Sequence, residues 1–255
     1  MESFQQLIRA NTEDSLVYGV KYRKQEFVGW AADNNRMFGT RICEVAAYHG
    51  RLDLLESAIK NGIALTEQAY YEAARGGHLN VVQRLLGKAY EDDYPKITAV
   101  ILGAAEGGHL EILRWGGKRW RSGAAVKNLQ STYGENQKLS VRAALNGHLR
   151  VLEWLCSVSM FHEFGADWRI KCGEETCAAA AIGGHLHIVK WLRTTANIAY
   201  HPHKICPWDG HTILNALLNG HDHVAVWAAR NGCPWDPLTF PPSMTTRLNV
   251  LLTMA

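Results

Sequence analysis

The sequence predicts an all-α protein, an α-solenoid of about seven helix-turn-helix repeats with degenerate caps. Three observations predict it. One pattern returns along the chain: two small residues, a Gly-His corner, then an apolar run ending in Leu or Trp. Ala180-Ala181-Ile182-Gly183-Gly184-His185-Leu186-His187-Ile188-Val189-Lys190-Trp191-Leu192 is one copy, and others begin at Ala73, Ala104 and Ala143. The corner glycines Gly50, Gly77, Gly108, Gly147, Gly184 and Gly220 lie 27, 31, 39, 37 and 36 residues apart. Such self-similarity marks stacked supersecondary units. Finally, all nine tryptophans fall into two columns. Trp30, Trp115, Trp154, Trp191 and Trp227 share one position of the second helix. Trp120, Trp168, Trp208 and Trp235 share the connection after it.

The chain opens with residues 1–16, expected to cap the array, the cap itself formed by 3–16. A worn first unit follows: residues 26–35 match 223–232 position by position and place Arg23 at the corner. The first helix of a unit is short, as over 66–75. Thr66 is placed to cap its start, and the Ala pair keeps its packing face thin. Glycine at the corner suits the left-handed residue that ends a helix. The second helix then carries a buried stripe, as with Val81, Val82, Leu85 and Leu86. One such hairpin cannot bury its own faces, so units stack, and the tryptophan columns are expected to supply much of the core between them.

The connections close on helix-start signals. Cys206-Pro207-Trp208-Asp209 and Cys233-Pro234-Trp235-Asp236 place an aspartate where it can accept from the next first turn, with Pro237 at the favoured first helical position. Connections 116–138, 157–174 and 194–205 are long and should protrude along one edge, where arrays often bind. At the end, Ser243 is placed to cap a last helix over 246–253. The whole of 1–255 therefore reads as a single repeat domain, with repeats over 17–236 and a C-terminal cap over 237–255.

Composition sets the class. At 47% hydrophobic and 20% charged the chain is globular rather than disordered. A net charge of +3 is too mild to imply nucleic acid or a membrane surface. No run approaches the roughly 18 apolar residues of a membrane span. The first residues lack a signal-peptide pattern, so an intracellular, cytoplasmic protein with six reduced thiols is expected.

Gly-His-Leu-x-Val-Val followed by Leu-Leu or Trp-Leu resembles the corner and second helix of ankyrin repeats, and Gly165-Ala166-Asp167 resembles the segment after that helix. Asn231-Gly232-Cys233-Pro234-Trp235-Asp236 looks like the divergent arrays of giant DNA viruses of amoebae and some protists. The resemblance covers nearly the whole chain. Two departures stand out: no unit carries Thr-Pro-Leu-His, and Arg23 and Arg51 occupy corner positions. A plain helical array with irregular loops is therefore expected in place of regular β-hairpin fingers. The resemblance implies a non-catalytic scaffold for binding other proteins, in the viral case host proteins in the host-cell cytoplasm.

Candidate chemistry is sparse. The corner histidines His78, His109, His148, His185 and His221 sit one per unit, roughly 10 Å apart in a stack, too far to share a metal. They read as architecture, bonding local backbone. His201, His203, Cys206 and His211 form a denser group, but their spacing matches no standard zinc pattern. No metal and no cofactor is therefore expected. Residues 114–142 are basic and partly aromatic, a combination that can track phosphates and stack bases. No nucleophile elbow, phosphate loop or dinucleotide fingerprint occurs, so no enzyme is expected.

The function expected is a monomeric protein-interaction scaffold with no membrane contact. Its candidate contacts are exposed first-helix positions Tyr70, Tyr71 and Glu72, and loop cations Lys118, Arg119, Arg121 and Lys127. The alternative is a nucleic-acid-binding module using the 114–142 segment.

Overall fold

The computed structural model describes residues 13–21, 39–87, 94–119, 139–156, 172–194 and 206–254. These are all-helical, with fourteen helices and no strand among them. The backbone forms two compact units, 1–125 and 126–255.

Unit 1 contains α1 (Glu13–Lys21), α2 (Thr40–Tyr48), α3 (Leu52–Lys60), α4 (Glu67–Arg75), α5 (Leu79–Leu86), α6 (Tyr94–Gly107) and α7 (Leu110–Arg119). Helices α2–α3, α4–α5 and α6–α7 are hairpins, and the first helices α1, α2, α4 and α6 pack in that order. Unit 2 contains α8 (Leu139–Leu145), α9 (Leu149–Leu155), α10 (Glu174–Ile182), α11 (Leu186–Arg193), α12 (Gly210–Leu218), α13 (Asp222–Arg230) and α14 (Pro242–Met254). Its hairpins are α8–α9, α10–α11 and α12–α13, with first helices packed as α8, α10 and α12, and α14 covering the last hairpin.

The core follows the predicted pattern. The Ala pairs are buried at Ala73 and Ala74, Ala104 and Ala105, Ala143 and Ala144, and Ala180 and Ala181, as is the stripe Val81, Val82, Leu85 and Leu86. Alanine allows close approach of neighbouring first helices. Gly103 carries this further, since a Cβ there would overlap the Tyr71 carbonyl of α4. The tryptophans contribute less to the core than expected. Trp154 and Trp208 are buried, while Trp115, Trp191, Trp227 and Trp235 are only half-buried. Trp208 meets Trp227 edge-on at 6.0 Å, and the Arg193 guanidinium stacks 4.1 Å from its ring centre. Trp30, Trp120 and Trp168 lie outside the described residues, as do Arg23, 3–12 and 157–171.

Several helix starts differ from expectation. Thr66 does not cap α4; its hydroxyl donates to Glu44 at 3.2 Å, a contact between adjacent hairpins. Asp209 does cap α12, accepting from the His211 amide at 3.1 Å. Asp236 accepts from the Leu238 amide at 2.9 Å, but this closes an isolated turn rather than a helix. The last helix then begins at Pro242, earlier than predicted, so Ser243 lies inside it. Arg247 anchors α14, pairing with Asp222 at 2.7 Å and donating to the Leu217 carbonyl at 3.2 Å.

Candidate interaction surface

The corner is built by backbone. In unit 2 the His185 amide donates to the Ala180 carbonyl at 2.9 Å and the Gly184 amide to the Ala181 carbonyl at 3.2 Å. This pair of bonds needs a left-handed residue between them, and Gly184 has φ 72°. The same arrangement recurs at Gly50, Gly77, Gly147 and Gly220.

The corner histidine reaches further than the local backbone expected of it. His185 Nε2 lies 3.0 Å from the Leu145 carbonyl, at the end of the preceding first helix. In unit 1, His78 Nε2 meets the Tyr48 carbonyl at 2.9 Å and His109 Nε2 the Arg75 carbonyl at 3.0 Å. A carbonyl only accepts, so each Nε2 carries the proton. Each bond satisfies one of the carbonyls that a helix C-terminus leaves over. The preceding glycine also has its reason here: a Cβ at Gly183 would overlap the Leu145 carbonyl. In the last hairpin Asn219 replaces that glycine, and His223 contacts the Gly184 carbonyl at 3.3 Å.

Burial lowers the pKa of His185, and the neighbouring His187, His148 and His221 lower it further against the Leu145 bond. The rings of His185 and His187 meet edge-on at 5.8 Å, and those of His221 and His223 at 6.2 Å. Arg51, where the histidine is missing, folds back instead onto Asp53 with bonds of 3.0 and 2.7 Å.

With glycine, histidine and alanine used internally, the residue two positions before each corner glycine is the nearest outward position that varies. In unit 1 these residues are Tyr48, Arg75 and Glu106, and they engage one another. Arg75 lies 5.4 Å over the Tyr48 ring and pairs with Glu106 at 3.4 Å. In unit 2 they are Leu145, Ile182 and Leu218, exposed by 38%, 37% and 59%. Single exposed aliphatics are ordinary. Three at one position of three consecutive first helices form a row, spaced by the roughly 8–10 Å between packed helices. The sequence carried this signal two residues before each corner glycine, hidden because the eye follows what repeats.

The predicted contact residues fare unevenly. Tyr70 is a correction: it is only 6% exposed and faces the core, with Lys96 5.4 Å from its ring centre. Tyr70 lies on the buried face of α4 with Ala69, Ala73 and Ala74, and Tyr71 lies at its edge. Tyr71 is half-buried and donates to Glu106, while Glu72 accepts from Gln68 at 2.9 Å and Arg75 at 3.3 Å. Lys118 and Arg119 end α7, but their side chains lie outside the described residues, as do Arg121 and Lys127 entirely. His201 and His203 also lie outside them. Of their proposed companions, Cys206 turns toward Cys177, while His211 bonds Asp209 at 2.8 Å. Among the described residues no three His, Cys, Asp or Glu side chains converge as metal ligands, and no helix is long and apolar enough to cross a membrane.

No protein-family model matches the chain, and no curated protein matches it.

Proposed function

We propose that the chain is a non-catalytic protein-interaction scaffold, a helical solenoid of ankyrin type whose unit 2 binds a partner along the row Leu145, Ile182 and Leu218. The observation that carries this reading is the contrast between units at one repeated position. In unit 1 the residues at that position engage one another, Arg75 lying over the 40%-exposed Tyr48 ring and pairing with Glu106. Unit 2 leaves three aliphatic side chains facing solvent in register. Burying such a row would gain roughly 25 cal/mol per Å² of apolar surface, an interaction that suits a protein segment better than a polyanion. The Gly-His-Leu corners support the ankyrin likeness, and host proteins are the partners favoured for an array of the viral type.

A photo-crosslinking side chain placed at Ile182, in the cell that makes the protein, tests the reading. It should trap a discrete protein species that the same group at Glu153, exposed on α9, does not trap. Equal labelling from both positions, or crosslinks from Ile182 to nucleic acid in place of protein, would remove the support for this surface.

A further inference from the structure

Five of the six cysteines belong to unit 2, and four of them form two close pairs. Cys156 is the C-cap that follows α9, and its sulfur lies 2.9 Å from that of Cys172. Cys177 on α10 lies 3.5 Å from Cys206. The fifth, Cys233, repeats the Cys-Pro-Trp-Asp setting of Cys206 and directs its thiol to the Asp209 carbonyl at 3.1 Å. Nonbonded heavy atoms settle at roughly 3.5–4.0 Å, so Cys156 and Cys172 are already closer than packing alone would place them. Their sulfurs need to approach by about 0.9 Å to reach a covalent S–S bond.

Access separates the pairs. Cys156, Cys177, Cys206 and Cys233 are buried, whereas Cys172 is half-exposed. Burial pushes the Cys233 thiol up to about 12. The bond to Cys172, followed by burial, raises that of Cys156. Buried thiols of this kind are poor first nucleophiles, because the thiolate is the reactive form. A reagent from solution therefore meets Cys172 first, with Cys156 in place behind it.

We propose that Cys156 and Cys172 are a dithiol site that closes to a disulfide on meeting a small-molecule disulfide such as oxidised glutathione, while the buried Cys177–Cys206 pair stays reduced. The Cys172 thiolate attacks one sulfur of the reagent, forming a mixed disulfide and expelling one thiolate. Cys156 then loses its proton and attacks the Cys172 sulfur, forming the intramolecular bond and expelling the second thiolate, which takes up a proton. In sum two protein thiols are oxidised and one reagent disulfide is reduced to two thiols. The bond would fasten the end of α9 to the residue two positions before α10, tying together the ends of the connection 157–171.

The test uses the full chain in its native state, incubated with oxidised glutathione, quenched with acid, then denatured for thiol counting and peptide mapping. Free thiols should fall from six to four, with one linked peptide pair joining Cys156 to Cys172, restored by dithiothreitol. Cys206→Ser should behave as wild type. Cys172→Ser should keep all of its thiols, and Cys156→Ser should stop at a stable glutathione adduct on Cys172. A stable adduct on Cys172 in the wild type, a bridge through Cys177 or Cys206, or no loss of thiols would each overturn the proposal. Wild-type mapping alone decides the matter if a serine variant fails to fold.

Discussion

His185 donates through Nε2 to the carbonyl oxygen of Leu145 at 3.0 Å, across 40 residues of sequence. This one bond joins a corner to the end of the preceding first helix, and equivalents at His78 and His109 do the same in unit 1. These three histidines are thus fasteners between hairpins. A net intramolecular hydrogen bond contributes about 1 kcal/mol. His185→Ala should therefore lower stability by about 1–2 kcal/mol in urea denaturation, since the Leu145 carbonyl also loses its partner. His187→Ala, on the exposed neighbour, should stay within about 0.5 kcal/mol of wild type.

Gly184 and Gly220 separate two demands made on a corner glycine. Both have positive φ, 72° and 78°. A Cβ at Gly184 would lie 2.5 Å from the His221 ring, while at Gly220 nothing stands within 4 Å. Alanine at either site pays roughly 1–2 kcal/mol for the left-handed conformation. Gly184→Ala should cost at least about 1 kcal/mol more, for displacing the histidine. Equal losses would mean that the ring moves aside freely.

The histidines also give stability a pH dependence of predictable sign. The folded pKa of His185 lies below its ordinary 6.5. The unfolded chain therefore binds the proton more readily, and the His185 contribution is full above 6.5 and lost as pH falls through the folded value. His211 is opposite: its bond to Asp209 raises its pKa, so its contribution is full below 6.5 and fades as pH rises through the folded value. That side chain is 73% exposed, which keeps its effect small. Urea midpoints between about pH 5.5 and 7.5 should fall toward acid less steeply in His185→Gln than in wild type.

Two tryptophans, one from each column, should differ energetically. Trp208 is buried, with Arg193 stacked on it and Trp227 edge-on, whereas Trp191 is half-buried. Trp208→Ala should cost about 3–5 kcal/mol in the same denaturation assay. Trp191→Ala should cost clearly less.

Much of the helical pattern was legible because the repeat constrains it. Alanine pairs, left-handed glycines and the i, i+1, i+4, i+5 stripe each answer a local geometric need, and local needs are written in local sequence. Three features were harder to read. Thr66 satisfies Glu44 of the neighbouring hairpin instead of its own helix, a choice that depends on a residue 22 positions away. Tyr70 and Tyr71 look equivalent as letters, yet helix rotation buries one and leaves the other at the edge. The histidine bond partner depended on how closely successive corners approach, which spacing along the chain does not state. The aliphatic row was in view at Leu145, Ile182 and Leu218, but only burial distinguishes an exposed leucine from a core one.

The functional account rests on that row and makes the repeated residues internal. The most direct measurement compares two full-length variants, Leu145→Asp with Leu218→Asp in one chain and His185→Ala in the other, by crosslinking from position 182. The account predicts that the double aspartate variant keeps its helical circular dichroism and melting behaviour but loses the trapped protein. His185→Ala should lose stability and still trap it at temperatures where it remains folded. Undiminished trapping by a folded double aspartate variant would contradict the claim that unit 2 binds its partner through this row.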